Sequence, residues 1–238
     1  FDALAYADDP QLHCRSAAAE VARVMEREGV SPYAWERSGR PALQRRIRLA
    51  YVSADFHEHA TAYLMAELFE RHDRSRFEVI AVSFGPDDRS PMRKRLKAAF
   101  DQFWDVSQDN ATAISQRMRD EGVDIAIDLK GFTRDSRPSV FLHKPAPVVV
   151  SYLGYPGTMG STAYDYVVGD PVVMPAELAP NYVEKVVQMP ATYQVNDTQR
   201  VIAAQVPSRV DEGLPERGFV FAAFNNVYKI TPAFFAAW

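Results

Sequence analysis

A single cysteine, Cys14, in 238 residues excludes an intrachain disulfide. A reducing, cytoplasmic setting is the simplest reading of that scarcity, with a cysteine-poor secreted protein still compatible. No apolar run approaches the ~20 residues that a membrane-spanning helix needs. The opening Phe1-Asp2-Ala3 lacks the basic stretch and apolar block of a signal peptide, and the initiator methionine is missing too. Positive charge is not in excess. Lys and Arg number 27 against 31 Asp and Glu, a net charge of -4, so no basic stripe for nucleic acid is available. No G-x-G-x-x-G follows any strand-like segment, which counts against a nicotinamide or flavin oxidoreductase, and the Gly-Lys-Ser/Thr of a Walker loop is absent. Solenoid-period repeats are lacking as well. What is present is a globular mixture, 47% apolar and 24% charged, long enough for one large domain or one and a half smaller ones.

Hydrophobic spacing divides the chain. Residues 11–28 read as a helix with Leu12, Ala18, Val21, Ala22 and Met25 near one face and Gly29 closing it. Residues 36–46 are polar and basic and read as a solvated connector, or less simply as an anion site. From Ile47 a regular alternation begins. Strands are expected at 47–53, 77–83, 103–106, 123–129, 148–152 and 166–168, and helices at 59–72, 90–100, 110–121 and 136–143. Near-continuous apolar strands alternating with helices predict an α/β fold, a Rossmann-like doubly wound parallel sheet. After Val201 the texture becomes loop-like, and Gly218 through Phe224 reads as a new strand. Three parts follow: a helical lead-in and linker at 1–46, the Rossmann-like lobe at 47–210, and the start of a second lobe at 211–238. The chain stops about two turns into a helix capped by Thr231 and Pro232, so both ends read as cut.

In open α/β sheets ligands bind beyond the carboxyl ends of the strands, which directs attention to four loops. Ser53 through Thr61 packs Asp55, His57, Glu58 and His59 into one strand-to-helix turn. A histidine titrates near neutrality, a carboxylate can orient it, and a helix N-terminus favours anions; the plain alternative is a helix cap with exposed histidines. His57 and His59 lack a clear third ligand, so a metal site is a weak reading. Asp128 through Thr133 offers Lys130 to an anion and Gly131 for a tight turn, or is an ordinary connection. Leu153 through Gly160 holds three glycines and a proline, a rigid loop able to present backbone groups to a hydroxyl-rich or phosphate ligand. Phe224 through Pro232 brings Asn225, Asn226, Tyr228 and Lys229 to a helix start, which suits a nucleoside diphosphate or is a simple βα connection.

Taken in order, these motifs resemble the O-linked N-acetylglucosamine transferase family, including its bacterial members and the SPINDLY group. The resemblance rests on Tyr51 through Phe56 followed by His59, on Asp128 through Thr133, on Arg137, and on Pro145-Ala146-Pro147. It continues through Tyr152 to Gly160, Asp165-Tyr166, Asp170, Pro175, Tyr182 through Lys185, Tyr193 through Asp197, and Phe224 through Lys229. It covers nearly everything from residue 47, and Asp8 through Leu12 looks like the segment that precedes the catalytic region in bacterial members.

The resemblance implies a GT-B architecture of two Rossmann-like lobes, with this chain holding the first and only the opening of the second. It implies transfer of N-acetylglucosamine from UDP-GlcNAc, with inversion, to Ser or Thr hydroxyls of protein acceptors. It implies no metal or other cofactor, no membrane or nucleic-acid partner, and tetratricopeptide repeats upstream. Carried over by position, His59 and Asp55 are the catalytic candidates, with the sugar donor's own phosphate a rival base. Thr61, Leu153, Gly154, Tyr155, Pro156, Thr158, Asn226, Tyr228 and Lys229 are the candidates for binding the sugar donor, Lys229 neutralising the diphosphate. This chain has Ala60 where the family often has proline, Lys130-Gly131-Phe132 where many members have Asn-Gly-Tyr, and Asn226 in place of a usual glutamine. These departures bear on the identity of the sugar donor, GDP-fucose being the alternative, more than on the reaction class. A non-catalytic, protein-binding lobe is the rival of another kind.

Overall fold

A computed structural model describes residues 4, 7–35, 45–224, 226–227 and 230–238. Seven parallel strands, β1 (Ile47–Ser53), β2 (Phe77–Ser83), β3 (Gln102–Asp105), β4 (Ile125–Asp128), β5 (Val148–Ser151), β6 (Tyr166–Gly169) and β7 (Lys185–Gln188), form one sheet in the order β3-β2-β1-β4-β5-β6-β7. The chain winds outward from β1 to β3, then crosses back to place β4 beside β1, with Val52 level with Asp128. That reversal is the topological switch point of a doubly wound sheet, the crevice where such folds bind ligands.

The period of two along each strand builds a core on both faces. Ala50 and Val52 join Ile80, Val82, Ile114, Met118 and Phe141 on one side. Leu49 and Tyr51 join Met65, Phe69, Val79 and Leu96 on the other. The second layer belongs to α2 (Ala60–Glu70) and α3 (Pro91–Ala99), the first to α4 (Ala111–Asp120) and α5 (Pro138–Leu142), after α1 (Pro10–Glu28) at the start of the chain. Local sequence sets the helix starts. Ser90 and Asn110 cap α3 and α4 through their side-chain oxygens, and Pro91 and Pro138 occupy first-turn positions where no amide hydrogen is needed. Burying a side chain such as Met65 or Phe69 contributes about 1.5–3 kcal/mol.

The structure corrects two expectations and adds one strand. The buried face of α1 is Ala17, Val21 and Val24, with the two valines packed on Leu142, while Leu12, Ala18 and Ala22 face outward; Gly29 does close the helix, at φ 60°. The stripe is rotated because alanines are neutral markers of a face, whereas Val24 and Val21 have something to bury. Strand β7 has no counterpart in the sequence reading. It is a short edge strand with three of four residues exposed, so no alternation announces it. Finally, no strand forms over 218–224. Phe219, Phe221 and Phe224 stand 82%, 89% and 100% exposed, and no strand lies beside them among the described residues. Extended backbone becomes a strand only when a neighbour takes up its amides and carbonyls. The short α6 (Pro232–Ala237) is capped by Thr231, as its sequence predicts.

Of the basic connector, only Arg45 and Arg46 fall among the described residues. Arg45 pairs with Asp124 at 2.8 Å, so its charge is met within the protein.

Candidate functional site

The loops after β1 and β4 are separated by 75 residues in sequence and meet over the switch point. Asp55, two residues beyond β1, is buried, its amide held by Ser53 Oγ at 2.9 Å. Lys130, two residues beyond β4, is equally buried and donates its ammonium to both carboxylate oxygens of Asp55, at 2.7 and 2.8 Å. Two charges so deep are tolerable only because each has the other. Removing one alone leaves an uncompensated buried charge, typically a cost of about 3–5 kcal/mol.

Both loops are braced from behind. Asp128 Oδ1 accepts the amides of Lys130 and Gly131, at 2.8 and 3.0 Å, and its Oδ2 accepts the Tyr164 hydroxyl at 2.7 Å. Burial pushes the Asp128 carboxyl up from its ordinary range, against the pull of those bonds and of the Lys130 charge. Gly131 adopts φ 52°, and a Cβ there would overlap Tyr155. Beneath the first loop, Arg93 (1% exposed) donates to the Phe56 carbonyl at 2.9 Å and to Ser83 Oγ at 2.8 Å. It fixes the turn that carries Asp55.

His59 is the N-cap of α2. Its Nδ1 accepts the Thr61 amide at 3.2 Å and stands 3.4 Å from Asp55 Oδ2. Thr61 Oγ1 reaches the same carboxylate oxygen at 3.5 Å. Partial burial lowers the pKa of His59. Asp55 opposes that shift, and the Lys130 ammonium, with a smaller electrostatic contribution from His57, reinforces it. The imidazole is therefore mainly neutral at pH 7.

Asp55, His59, Lys130 and Arg134 form a wall shared by two cavities. One, of about 700 Å³, is also lined by Thr61, Leu129, Thr133, Gly154, Asn226 and Val227. The other, of about 940 Å³, is lined by His57, Gly85, Asp87, Asp105, Gln108 and Arg137 among others. His57 thus looks away from the first cavity, with Asp88 as a distant partner at 4.0 Å.

The glycine-rich loop after β5 meets this wall by its backbone. Leu153 takes a left-handed φ of 67°, and a Cβ on Gly154 would collide with the Leu129 carbonyl. Of the candidates in this loop, Gly154 lines the smaller cavity; Leu153, Tyr155, Pro156 and Thr158 are not part of its lining. Tyr155 is buried against Phe132 and Gly131. Thr158 is also buried, its hydroxyl donating to Glu184 at 2.7 Å, while Glu184 takes the Met159 amide at 2.6 Å. Burial raises the Glu184 carboxyl above its usual range. Tyr155 and Thr158 therefore shape the loop from within. Tyr228 and Lys229 lie outside the described residues. Among the described residues, no group of three or more His, Cys, Asp or Glu side chains could hold a metal ion, and no helix is long and apolar enough to cross a membrane.

A seven-stranded parallel sheet in this order, with a histidine and a buried ion pair over its switch point, defines a doubly wound α/β lobe with a polar ligand cleft. The chain belongs to glycosyl transferase family 41, whose sequence profile matches residues 13–210. It is 37% identical over its whole length to an Arabidopsis thaliana protein named "Probable UDP-N-acetylglucosamine–peptide N-acetylglucosaminyltransferase SEC", of which it spans 26%. It is 35% identical over 159 residues, 66% of this chain and 14% of the relative, to the UDP-N-acetylglucosamine–peptide N-acetylglucosaminyltransferase of Caenorhabditis elegans. A solved mutant of the Thermobaculum terrenum O-GlcNAc transferase superposes with a TM-score of 0.72 at 30% identity, covering 81% of this chain and 36% of that one. The chain thus spans about a quarter of the first of these relatives and about a third of the solved structure.

Proposed function

We propose that this chain is the first catalytic lobe of an inverting glycosyltransferase that moves N-acetylglucosamine from UDP-GlcNAc to Ser or Thr hydroxyls of proteins. The observation that carries the reading is the wall of Asp55, His59 and Lys130 at the switch point, facing a cavity that Thr61, Gly154 and Asn226 also line. In this reading the acceptor oxygen attacks the anomeric carbon on the face opposite UDP, the bond to the diphosphate breaks, and UDP leaves. Asp55 and His59 orient the acceptor hydroxyl and manage its proton. Thr61, Gly154 and the backbone at Leu153 hold the sugar, and Asn226, Tyr228 and Lys229 serve the diphosphate, Lys229 offsetting the charge that develops as UDP leaves. Tyr155, Pro156 and Thr158 act on the sugar donor through the shape of their loop. The reaction uses no metal in this account. Its setting is cytoplasmic, and tetratricopeptide repeats upstream of residue 1 present the acceptor proteins. The boundary between the lobes falls near residue 210, and the 238-residue chain alone is inactive for want of the rest of the cleft.

The test offers radiolabelled UDP-GlcNAc, with GDP-fucose in parallel, to the full-length protein and follows label into protein. Label from UDP-GlcNAc is expected to fall about 10²–10⁴-fold in His59→Ala and much less in His57→Ala. Label from GDP-fucose alone would reassign the donor, and label from neither would overturn the catalytic reading.

A further inference from the structure

The imidazole of His59 faces two claims on one atom. Nδ1 lies 3.2 Å from the Thr61 amide and 3.4 Å from Asp55 Oδ2. A ring nitrogen either carries a proton or offers a lone pair, so it cannot serve both. If it carries the proton, it donates to Asp55 and two N–H groups confront each other at the start of α2. If it offers the lone pair, it caps the helix and Asp55 receives nothing from it. The Thr61 amide cannot turn away, because the helix fixes its direction. Asp55 has no such need, because both of its oxygens already accept from the Lys130 ammonium.

We propose that Lys130 is a positioning residue that sets the tautomer of His59: by occupying both oxygens of Asp55, it leaves Nδ1 to accept the Thr61 amide and places the ring proton on Nε2. Nε2 makes no hydrogen bond among the described residues, and His59 lines both cavities. The resting site therefore offers a ligand oxygen an N–H donor. For Nε2 to accept a proton instead, Nδ1 must take one toward Asp55, which costs the helix cap. The titratable groups that face the ring are Asp55, Lys130 and His57; Glu58 is turned aside, accepting the Tyr63 hydroxyl at 2.7 Å. The lowering of the His59 pKa, to which Lys130 contributes, agrees with a neutral ring.

The experiment is nitrogen-15 NMR of histidine-labelled full-length protein, with His59→Gln used to assign the signal. Wild type is expected to show a bare Nδ1 and a protonated Nε2; a protonated Nδ1 in neutral wild type overturns the proposal whatever the variants do. In Lys130→Met, Asp55 turns to the imidazole. The proton moves to Nδ1 and the titration midpoint rises by about one pH unit or more. Lys130→Arg keeps the wild-type signature. Asp55→Asn combined with Lys130→Met, which removes both charges and avoids a folding defect from an unpaired carboxylate, returns the proton to Nε2. An unchanged tautomer in Lys130→Met, or a protonated Nδ1 in the double variant, overturns it. Only a second arm rests on the transferase reading: in Lys130→Met the acid limb of the pH profile of kcat moves up with the His59 titration. Absence of transfer in wild type would sink that reading and leave the tautomer result standing.

Discussion

Two stretches of this chain carry the same kinds of apolar residue and meet opposite fates. Within residues 47–199, Phe56, Phe69 and Phe141 are at most 2% exposed. Beyond residue 200, Phe221 and Phe224 are almost wholly exposed, and Val201, Ile202 and Val206 stand 87–96% exposed. Composition alone does not separate the two. Neighbours do: the first stretch has six strand pairings and helices on both faces, and among the described residues the second has neither. Hydrophobicity supplies a driving force, but the sheet supplies the place to spend it. The border between the regimes is marked by polar contacts. Thr198 bonds to the buried Glu67 through both its amide and its hydroxyl, and Arg95 pairs with both Glu70 and Asp197, so the segment is tied across α2 and α3.

The sharpest way to break this contrast is to truncate matched residues. Phe69→Ala should destabilise the folded lobe by about 3–5 kcal/mol, the cost of a cavity in a close-packed core, read from urea unfolding. A loss below about 1 kcal/mol there would mean the core is not what holds this region. At the border, Thr198→Ala removes a hydroxyl bond and should cost about 0.5–1.5 kcal/mol. A loss comparable to that of Phe69→Ala would make the strap part of the core.

A titration tests the lobe as a whole. His59 and His72 are both held below the ordinary histidine range, chiefly by burial. The unfolded chain then binds more protons than the folded one between their folded values and the unfolded value of about 6.5. Their contribution to stability therefore rises with pH through that window and is lost as pH falls. His72→Gln should flatten the slope of the unfolding midpoint on the acid side of the unfolded histidine value of about 6.5, and an unaltered slope would remove His72 from the account. The smallest expected effect lies in the exposed stretch: Phe221→Ala should change the stability of the 238-residue chain by less than about 0.5 kcal/mol. A larger loss in calorimetry would show that Phe221 is packed.

How much of this was legible in the sequence follows the same division. The alternation from Ile47 onward fixes the fold class, because buried parallel strands and amphipathic helices leave different periods. The β1–α2 loop was legible as a candidate site, since Asp55 and His59 stand at a strand end. The partner of Asp55 was not. Lys130 reads as a cation awaiting an anion, and its pairing depends on β4 lying beside β1, a fact of strand order that no local pattern carries. Asp128, Arg93 and Glu184 were missed as supports because each acts through buried hydrogen bonds to distant loops. An aspartate closing the apolar run at 125–128 was the available signal for the first.

The contact between Gly154 and the Leu129 carbonyl has a mechanical consequence. With no room for even a methyl group between them, the loop after β5 and the loop bearing Lys130 behave as a single rigid part. A change that shifts Gly154 to suit a bulkier ligand also shifts Lys130, and with it the grip on Asp55. The shape of the cleft and the chemistry at its wall are geared together: Gly154, Lys130 and Asp55 line one cavity, and none of the three shifts without disturbing the others.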